Sequence, residues 1–136
     1  MKLSLLTLFC VFIISIFLVA CGAKETSSSP EVGNPSRGKE LYNKTVLGPR
    51  AAPGCITCHS LEPGVILVGP SHAGIASRAD SIVQGLSAEE YLRQSIISPD
   101  AHVKEGFFPG IMYQKYEEDL TEQEIQDLVA YMMALK

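Results

Sequence analysis

Tryptophan is absent from this 136-residue chain, and basic residues are few. The 11 Lys and Arg are outnumbered by 15 Asp and Glu, which gives a formal net charge of −4. A protein that binds nucleic acid needs a basic face, so this balance argues against a nucleic acid partner. The length excludes a large multidomain enzyme, and a domain of roughly 100 residues buries only about 60 to 65% of its unfolded surface.

Apolar residues are also scarce once the first 20 positions are set aside. Sixteen of the first 20 residues are apolar, and Lys2 is the only charged residue in this stretch. This pattern is typical of a secretory signal peptide. An uncleaved membrane anchor is the alternative, because about 18 apolar residues approach the thickness of a bilayer. Residues 22–37 hold three consecutive serines, two prolines and almost nothing to bury, and are expected to form a flexible tether.

The apolar run ends in Leu18-Val19-Ala20-Cys21-Gly22. This resembles a bacterial lipobox, in which signal peptidase cuts before a cysteine that carries lipid. The resemblance implies that Cys21 is lipidated and anchors the chain to the periplasmic or outer face of the cell membrane. Cys10 would be discarded with the signal peptide, leaving Cys55 and Cys58 for chemistry.

Helical periodicity predominates from residue 37 onward, and no convincing alternating strand is present, so the domain is predicted to be all-α. A short helix is expected around 37–44. Two stronger helices begin at the capping boxes 87–90 and 121–124, where Ser or Thr is followed three residues later by Glu. The connections between helices are long and rich in Gly and Pro, which is unusual in a compact domain unless a non-protein group packs against them.

The two remaining cysteines lie in Cys55-Ile56-Thr57-Cys58-His59, a C-x-x-C-H sequence typical of covalent haem c attachment. On one helical turn the two sulfurs face the same way and can form thioethers with two vinyl groups of one porphyrin, while His59 can bind the iron. A zinc site needs about four protein ligands, and no second cysteine pair follows the signal peptide. A thioredoxin-like site needs a βαβ context that is lacking, and an ordinary disulfide would not require the histidine.

The residues around this motif resemble the class I cytochromes c, and the resemblance runs from Gly38 to Leu135, essentially the whole of the expected domain 38–136. It implies a small all-α fold in which N-terminal and C-terminal helices cross and further helices and loops wrap one covalent haem. Gly38 and Tyr42 look like the family's glycine and aromatic in the first helix, and Leu128 and Tyr131 like their partners in the last. Gly38 would permit close helix approach and Tyr42 would fill the crossing.

A second matching segment, 69–78, is similar to the family's G-P-x-L-x-G sequence. The resemblance implies that the carbonyl group of Pro70 accepts a hydrogen bond from His59 and that Arg78 lies near a haem propionate; a solvated surface arginine is the alternative. His72 occupies the place of an apolar residue that usually packs against the haem. Its side chain either turns outward or alters the pocket, and the sequence leaves both possibilities open.

The resemblance also implies a methionine as second axial ligand, before the last helix, and Met112 fits that place. Tyr113 follows it where the family often has proline. His102 is the second candidate, with an exposed loop histidine as the alternative. Met132 and Met133 lie on the last helix, where packing explains both. Four apolar residues are expected to pack on the haem, although they could equally belong to the general core: Ile75, Phe107, Phe108 and Ile111.

His/Met ligation fills both axial positions, so the chain is expected to be an electron carrier and not an enzyme. Residues 91–106 are similar to the cytochrome domain fused to subunit II of some oxygen reductases and to lipid-anchored monohaem subunits of alternative complex III. This implies a respiratory or photosynthetic chain with a quinol-oxidising complex, terminal oxidase or reaction centre as redox partner. A fixed subunit of such a complex, or a haem protein with an open sixth site, is the alternative.

The acidic cluster 117–124 is expected to be the solvated start of the last helix or to steer a basic partner.

Overall fold

The structure of the chain is a computed structural model that describes residues 32–136. The expected signal peptide, the lipidation site Cys21 and the tether up to residue 31 lie outside the described residues. Five helices make up most of the regular secondary structure of the described part: α1 (Pro35–Tyr42), α2 (Cys55–Cys58), α3 (Ala88–Ile97), α4 (Tyr116–Asp119) and α5 (Glu122–Met133). Short 3-10 turns cover Ile75–Ser77, Ala79–Ser81 and Pro99–Ala101. The all-α prediction is confirmed, and no helix within 32–136 is long and apolar enough to cross a bilayer.

Both predicted capping boxes are present and fix where α3 and α5 begin. The Ser87 hydroxyl accepts a hydrogen bond from the backbone N–H of Glu90, and the Glu90 carboxylate accepts one from the backbone N–H of Ser87. Thr121 and Glu124 make the same reciprocal pair. Each box satisfies two N–H groups that an uncapped helix would leave unpaired.

Helix α1 begins two residues earlier than the sequence pattern predicts. The Asn34 side chain accepts hydrogen bonds from the backbone N–H groups of Ser36 and Arg37 and so caps the helix, with Pro35 in its first turn. The backbone N–H of Asn34 in turn donates to Asp127 Oδ1 on α5, at 2.7 Å. A contact across 93 residues therefore helps to set this helix boundary.

The crossing of α1 and α5 holds the core. Gly38 lies so close to α5 that a Cβ atom on it would overlap the backbone carbonyl group of Asp127. Tyr42 is fully buried and packs edge-on against Tyr131, with ring centroids 5.3 Å apart. Leu128 is buried beside them. The predicted roles of Gly38 and Tyr42 at a helix crossing are confirmed.

A two-stranded antiparallel hairpin, β1 (Val46–Leu47) and β2 (Ala52–Pro53), lies between α1 and α2. The sequence pattern did not predict it, because strands of two residues are too short to show alternation. The hairpin brings the end of β2 against the start of α2 and so positions the cysteine motif.

Candidate functional site

Helix α2 presents the two cysteines on a single turn. A Cβ atom on Gly54, the residue before the helix, would overlap the carbonyl oxygen of Lys44, so the hairpin can hold the start of α2 this closely only with glycine there. The Thr57 hydroxyl donates to the Gly54 carbonyl group at 2.6 Å. Cys55 and Cys58 are both half-buried free thiols, and burial raises the pKa of Cys55 to about 12. The site therefore offers two free thiols three residues apart.

His59 follows α2 directly, and its side chain is fixed at one ring nitrogen. Nδ1 lies 2.8 Å from the carbonyl oxygen of Pro70, which is the hydrogen bond that the family resemblance implied. A carbonyl oxygen only accepts, so Nδ1 carries the proton and Nε2 keeps its lone pair. Burial lowers the pKa of His59, against the opposing effect of the Pro70 bond. The imidazole is therefore neutral at pH 7 and has one nitrogen free to bind a metal.

Arg78 braces the segment that carries Pro70. Its guanidinium donates to the carbonyl groups of Ala73 and Ser71, at 2.5 and 2.8 Å. These bonds stabilise the turn that follows Pro70, a role that the sequence did not predict. The contact with a haem propionate that the resemblance implies for Arg78 stays a prediction.

His72, whose direction the sequence left open, turns inward. Its ring stacks on that of His59, with centroids 3.9 Å apart and planes inclined by 16°. Burial is the main reason that the pKa of His72 falls to about 3, with the nearby His59 and Arg78 adding to the effect. A second neutral imidazole therefore lies against the candidate ligand.

Met112 lies half-buried on the loop before α4 and packs against the core. Its neighbours Phe108 and Ile111 are 76% and 62% exposed, so the loop presents apolar side chains that no protein group covers in the described part of the chain. Of the other expected packing residues, Ile75 is buried and Phe107 is half-buried. A run of partly exposed apolar residues, Val65–Val68, likewise follows the cysteine motif.

The other candidate ligands are engaged elsewhere. Met132 is 4% exposed within the core on α5, and Met133 beside it is half-buried against the core. His102 is exposed, and its ring meets Tyr91 edge-on with centroids 6.1 Å apart. These surroundings agree with packing as the role of the two helical methionines.

Sequence reasoning missed a buried polar network next to Met112. The Tyr113 hydroxyl donates to Asp119 Oδ2 at 2.5 Å, and this bond is the main reason that the pKa of Tyr113 is raised. Arg50 Nε lies 2.8 Å from Asp119 Oδ1, and the Asp119 side chain is 0% exposed. Asp119 therefore does not belong to a solvated acidic cluster. The one signal of this network in the sequence was Tyr113, which stands where the family often has proline after the methionine. Without a rigid proline, the loop that carries Met112 needs another contact to hold it in place.

Among the remaining acidic residues of 117–124, Glu117, Glu118 and Glu122 are exposed, as expected for a solvated start of the last helix, and some of them also pair within the molecule. Glu118 pairs with Arg50 at 3.2 Å, Glu122 pairs with Arg93 at 2.8 Å, and Glu124 completes a capping box. These exposed pairs contribute little individually.

This donor set fits a covalently attached haem c. Two free thiols stand on one turn beside a neutral histidine with a free nitrogen, and a methionine lies on a loop of exposed apolar residues. The structure thus provides attachment points, a histidine nitrogen available to a metal, and apolar surface for a flat, hydrophobic group.

Comparison with known proteins also supports a haem c site. A family model described as "Cytochrome c" matches residues 35–136. None of the curated proteins matches the chain.

Proposed function

The chain belongs to the cytochrome c family, and from this we propose that it is a membrane-anchored, monohaem electron carrier with His59 and Met112 as the axial ligands. Members of this family bind haem c covalently and transfer electrons. The observation that carries the proposal is the hydrogen bond from His59 Nδ1 to the Pro70 carbonyl group, 2.8 Å long. It leaves Nε2 free on the residue that directly follows Cys58.

Each functional residue then has a defined task. Cys55 and Cys58 would hold the porphyrin through two thioether bonds, each made by addition of an S–H group across a vinyl group. His59 would bind iron through Nε2, and the Pro70 bond fixes the tautomer and the basicity of its ring. The haem supplies a one-electron ferric/ferrous couple, and a thioether ligand such as Met112 favours the ferrous form.

The choice of Met112 over other residues is supported by its surroundings. It lies half-buried on a loop with exposed apolar neighbours, whereas Met132 is buried in the core and His102 packs on Tyr91. With both axial positions filled, no site is open to oxygen, peroxide or a substrate. This favours an electron carrier over a haem enzyme.

Carbon monoxide binding is a simple test of whether Met112 occupies the sixth position of the iron. The reduced protein at neutral pH should bind carbon monoxide slowly or not at all, because the ligand must displace the methionine. Rapid binding would show an open or weakly held sixth position and would favour a gas-binding or catalytic haem protein.

The lipid anchor is proposed from the sequence Leu18-Val19-Ala20-Cys21-Gly22. Its lipid would hold the domain at the periplasmic or outer face of the cell membrane, where it could exchange electrons with a quinol-oxidising complex, a terminal oxidase or a reaction centre. The Cys21→Ala variant should lose the lipid-modified N-terminal peptide in mass spectrometry. A variant and a wild type that both keep residues 1–20 would instead indicate an uncleaved membrane anchor.

A fixed subunit of a larger respiratory complex is the second candidate, favoured by the similarity of residues 91–106 to such subunits. Mild detergent extraction from the native membrane separates the two. A free carrier purifies alone, whereas a subunit purifies with its complex.

A further inference from the structure

His72 interrupts an otherwise family-like segment with a polar ring. Its backbone N–H donates to the Ser60 carbonyl group at 2.8 Å, which fixes the residue next to the cysteine motif. From there the side chain points inward and stacks on His59, with ring centroids 3.9 Å apart and an interplanar angle of 16°. An aliphatic residue in this place could fill space but could not form a parallel aromatic pair.

The His72 ring is itself held by the core. Its Nδ1 lies 3.1 Å from the hydroxyl oxygen of Tyr42, and Tyr42 is fully buried at the crossing of α1 and α5. The same hydroxyl group lies 3.3 Å from the carbonyl oxygen of His59. One rigid residue of the helix crossing therefore contacts both His72 and the backbone of His59.

His59 is consequently confined from three directions. The Pro70 carbonyl group binds Nδ1 at the ring edge. The backbone at Gly69 lies so close to the ring that an added Cβ would overlap its Cε1 atom. His72 covers one face of the ring. Without the face contact, the Pro70 bond and the Gly69 backbone would be left to restrain the ring.

We propose that His72 is a positioning residue that sets the plane of the His59 imidazole. Tyr42, which is held at the α1–α5 crossing, fixes the position of the His72 ring. The inference rests on the proposed function, since it concerns His59 as an axial ligand. His72 acts through His59 and not on the iron. The orientation of an axial imidazole and the strength of its outer hydrogen bond are the features through which a protein tunes a metal ligand.

The test compares two substitutions in the haem-loaded protein. His72→Leu removes the ring and the Tyr42 contact, whereas His72→Phe keeps a ring that can stack. Proton NMR of the ferric protein reports the imidazole plane through the paramagnetically shifted haem methyl resonances. Proton exchange at His59 Nδ1 in the ferrous protein reports how firmly the Pro70 bond is held. Ser77→Ala, at an exposed position nearby, is the matched control.

We expect His72→Leu to redistribute the haem methyl resonances and to accelerate Nδ1 proton exchange by about two- to tenfold, the range that corresponds to the loss of one aromatic pair. His72→Phe should remain nearer to the wild type in both measurements, and Ser77→Ala should match the wild type. Unchanged resonances and exchange in His72→Leu would overturn the inference. So would a His72→Phe variant displaced as far as His72→Leu or farther, because stacking would then not be the cause.

The haem spectrum of the wild-type protein distinguishes a failure of the proposed function from a failure of this inference. A wild-type protein without a low-spin, histidine-ligated haem spectrum would overturn the proposed function together with this inference. A normal wild-type spectrum with insensitive His72 variants would overturn only the inference.

Discussion

The backbone carbonyl oxygen of Asp127 lies where a Cβ atom on Gly38 would have to be. The two residues belong to α1 and α5, whose crossing buries Tyr42, Leu128 and Tyr131. Because the obstacle is backbone, neither helix can yield by turning a side chain. The closeness of the two helices therefore depends on glycine at this position.

Gly38→Ala should push the two helices apart and lower the free energy of unfolding by about 1 to 3 kcal/mol, as expected for an overpacked core. For a domain of this size each kcal/mol corresponds to a fall in Tm of roughly 4 to 8 °C. Thermal unfolding of the haem-loaded protein measures it, with the exposed α1 variant Glu40→Ala as control. Equal Tm values for Gly38→Ala and the control would refute the close-approach argument.

Asp127 should give the protein a stability that depends on acid pH. Burial favours the neutral carboxylic acid, but hydrogen bonds from Arg37, Asn34 and Gln123 outweigh it, so the pKa of Asp127 lies below its usual range. A carboxyl group with a lowered folded-state pKa stabilises the protein above the unfolded value of about 3.9. That stabilisation is lost as the pH falls through the lower, folded-state pKa.

Asp127→Asn should therefore cost about 1 to 3 kcal/mol at pH 7, since it weakens charge-assisted hydrogen bonds, and the difference from the wild type should shrink below about pH 4. Urea unfolding between pH 7 and pH 3 measures the difference. Asp80→Asn, at an exposed position, should follow the wild-type curve. A wild-type to Asp127→Asn difference that stayed constant over this pH range would contradict the linkage.

Tyr113→Phe should weaken the hold on Met112 without removing the ligand. The substitution deletes the hydroxyl group that bonds to the buried carboxylate of Asp119, so the loop loses its anchor to α4. The ferric charge-transfer band of methionine–iron ligation should then disappear at a lower temperature and a lower alkaline pH than in the wild type. Tyr91→Phe is the matched control, because that ring keeps its contact with His102. Identical midpoints in Tyr113→Phe and wild type would show that the network does not support the loop.

The haem is expected to be part of the core. Phe108, Ile111 and the Val65–Val68 run leave apolar surface uncovered by protein, and a small domain has little burial to spare. A Cys55→Ala/Cys58→Ala variant that lacks haem should lose the cooperative thermal transition in circular dichroism. Wild-type protein from which the haem has been removed chemically should behave in the same way. An apoprotein that unfolds cooperatively near the Tm of the holoprotein would contradict this role.

Local signals account for most of what the sequence could predict. The capping boxes at Ser87 and Thr121, the C-x-x-C-H motif and the helical spacing each depend on residues within one or two turns. The close approach at Gly38 and the Pro70 bond to His59 are longer-range, and both followed from the family resemblance.

The features that escaped prediction depend on contacts between distant residues. The inward turn of His72 requires Tyr42, 30 positions earlier, and the burial of Asp119 requires Arg50 from the hairpin loop. The start of α1 depends on Asn34 reaching Asp127 across 93 positions. No periodicity within a single element contains this information.

The identity of the sixth ligand is the central claim, and replacement of Met112 tests it most directly. The ferric wild-type protein should show the methionine–iron charge-transfer band, Met112→Ala should lose it and bind carbon monoxide readily when reduced, and the core variant Met132→Leu should keep it. A band that survives in Met112→Ala, or vanishes in Met132→Leu, would contradict the assignment of Met112 as the axial ligand.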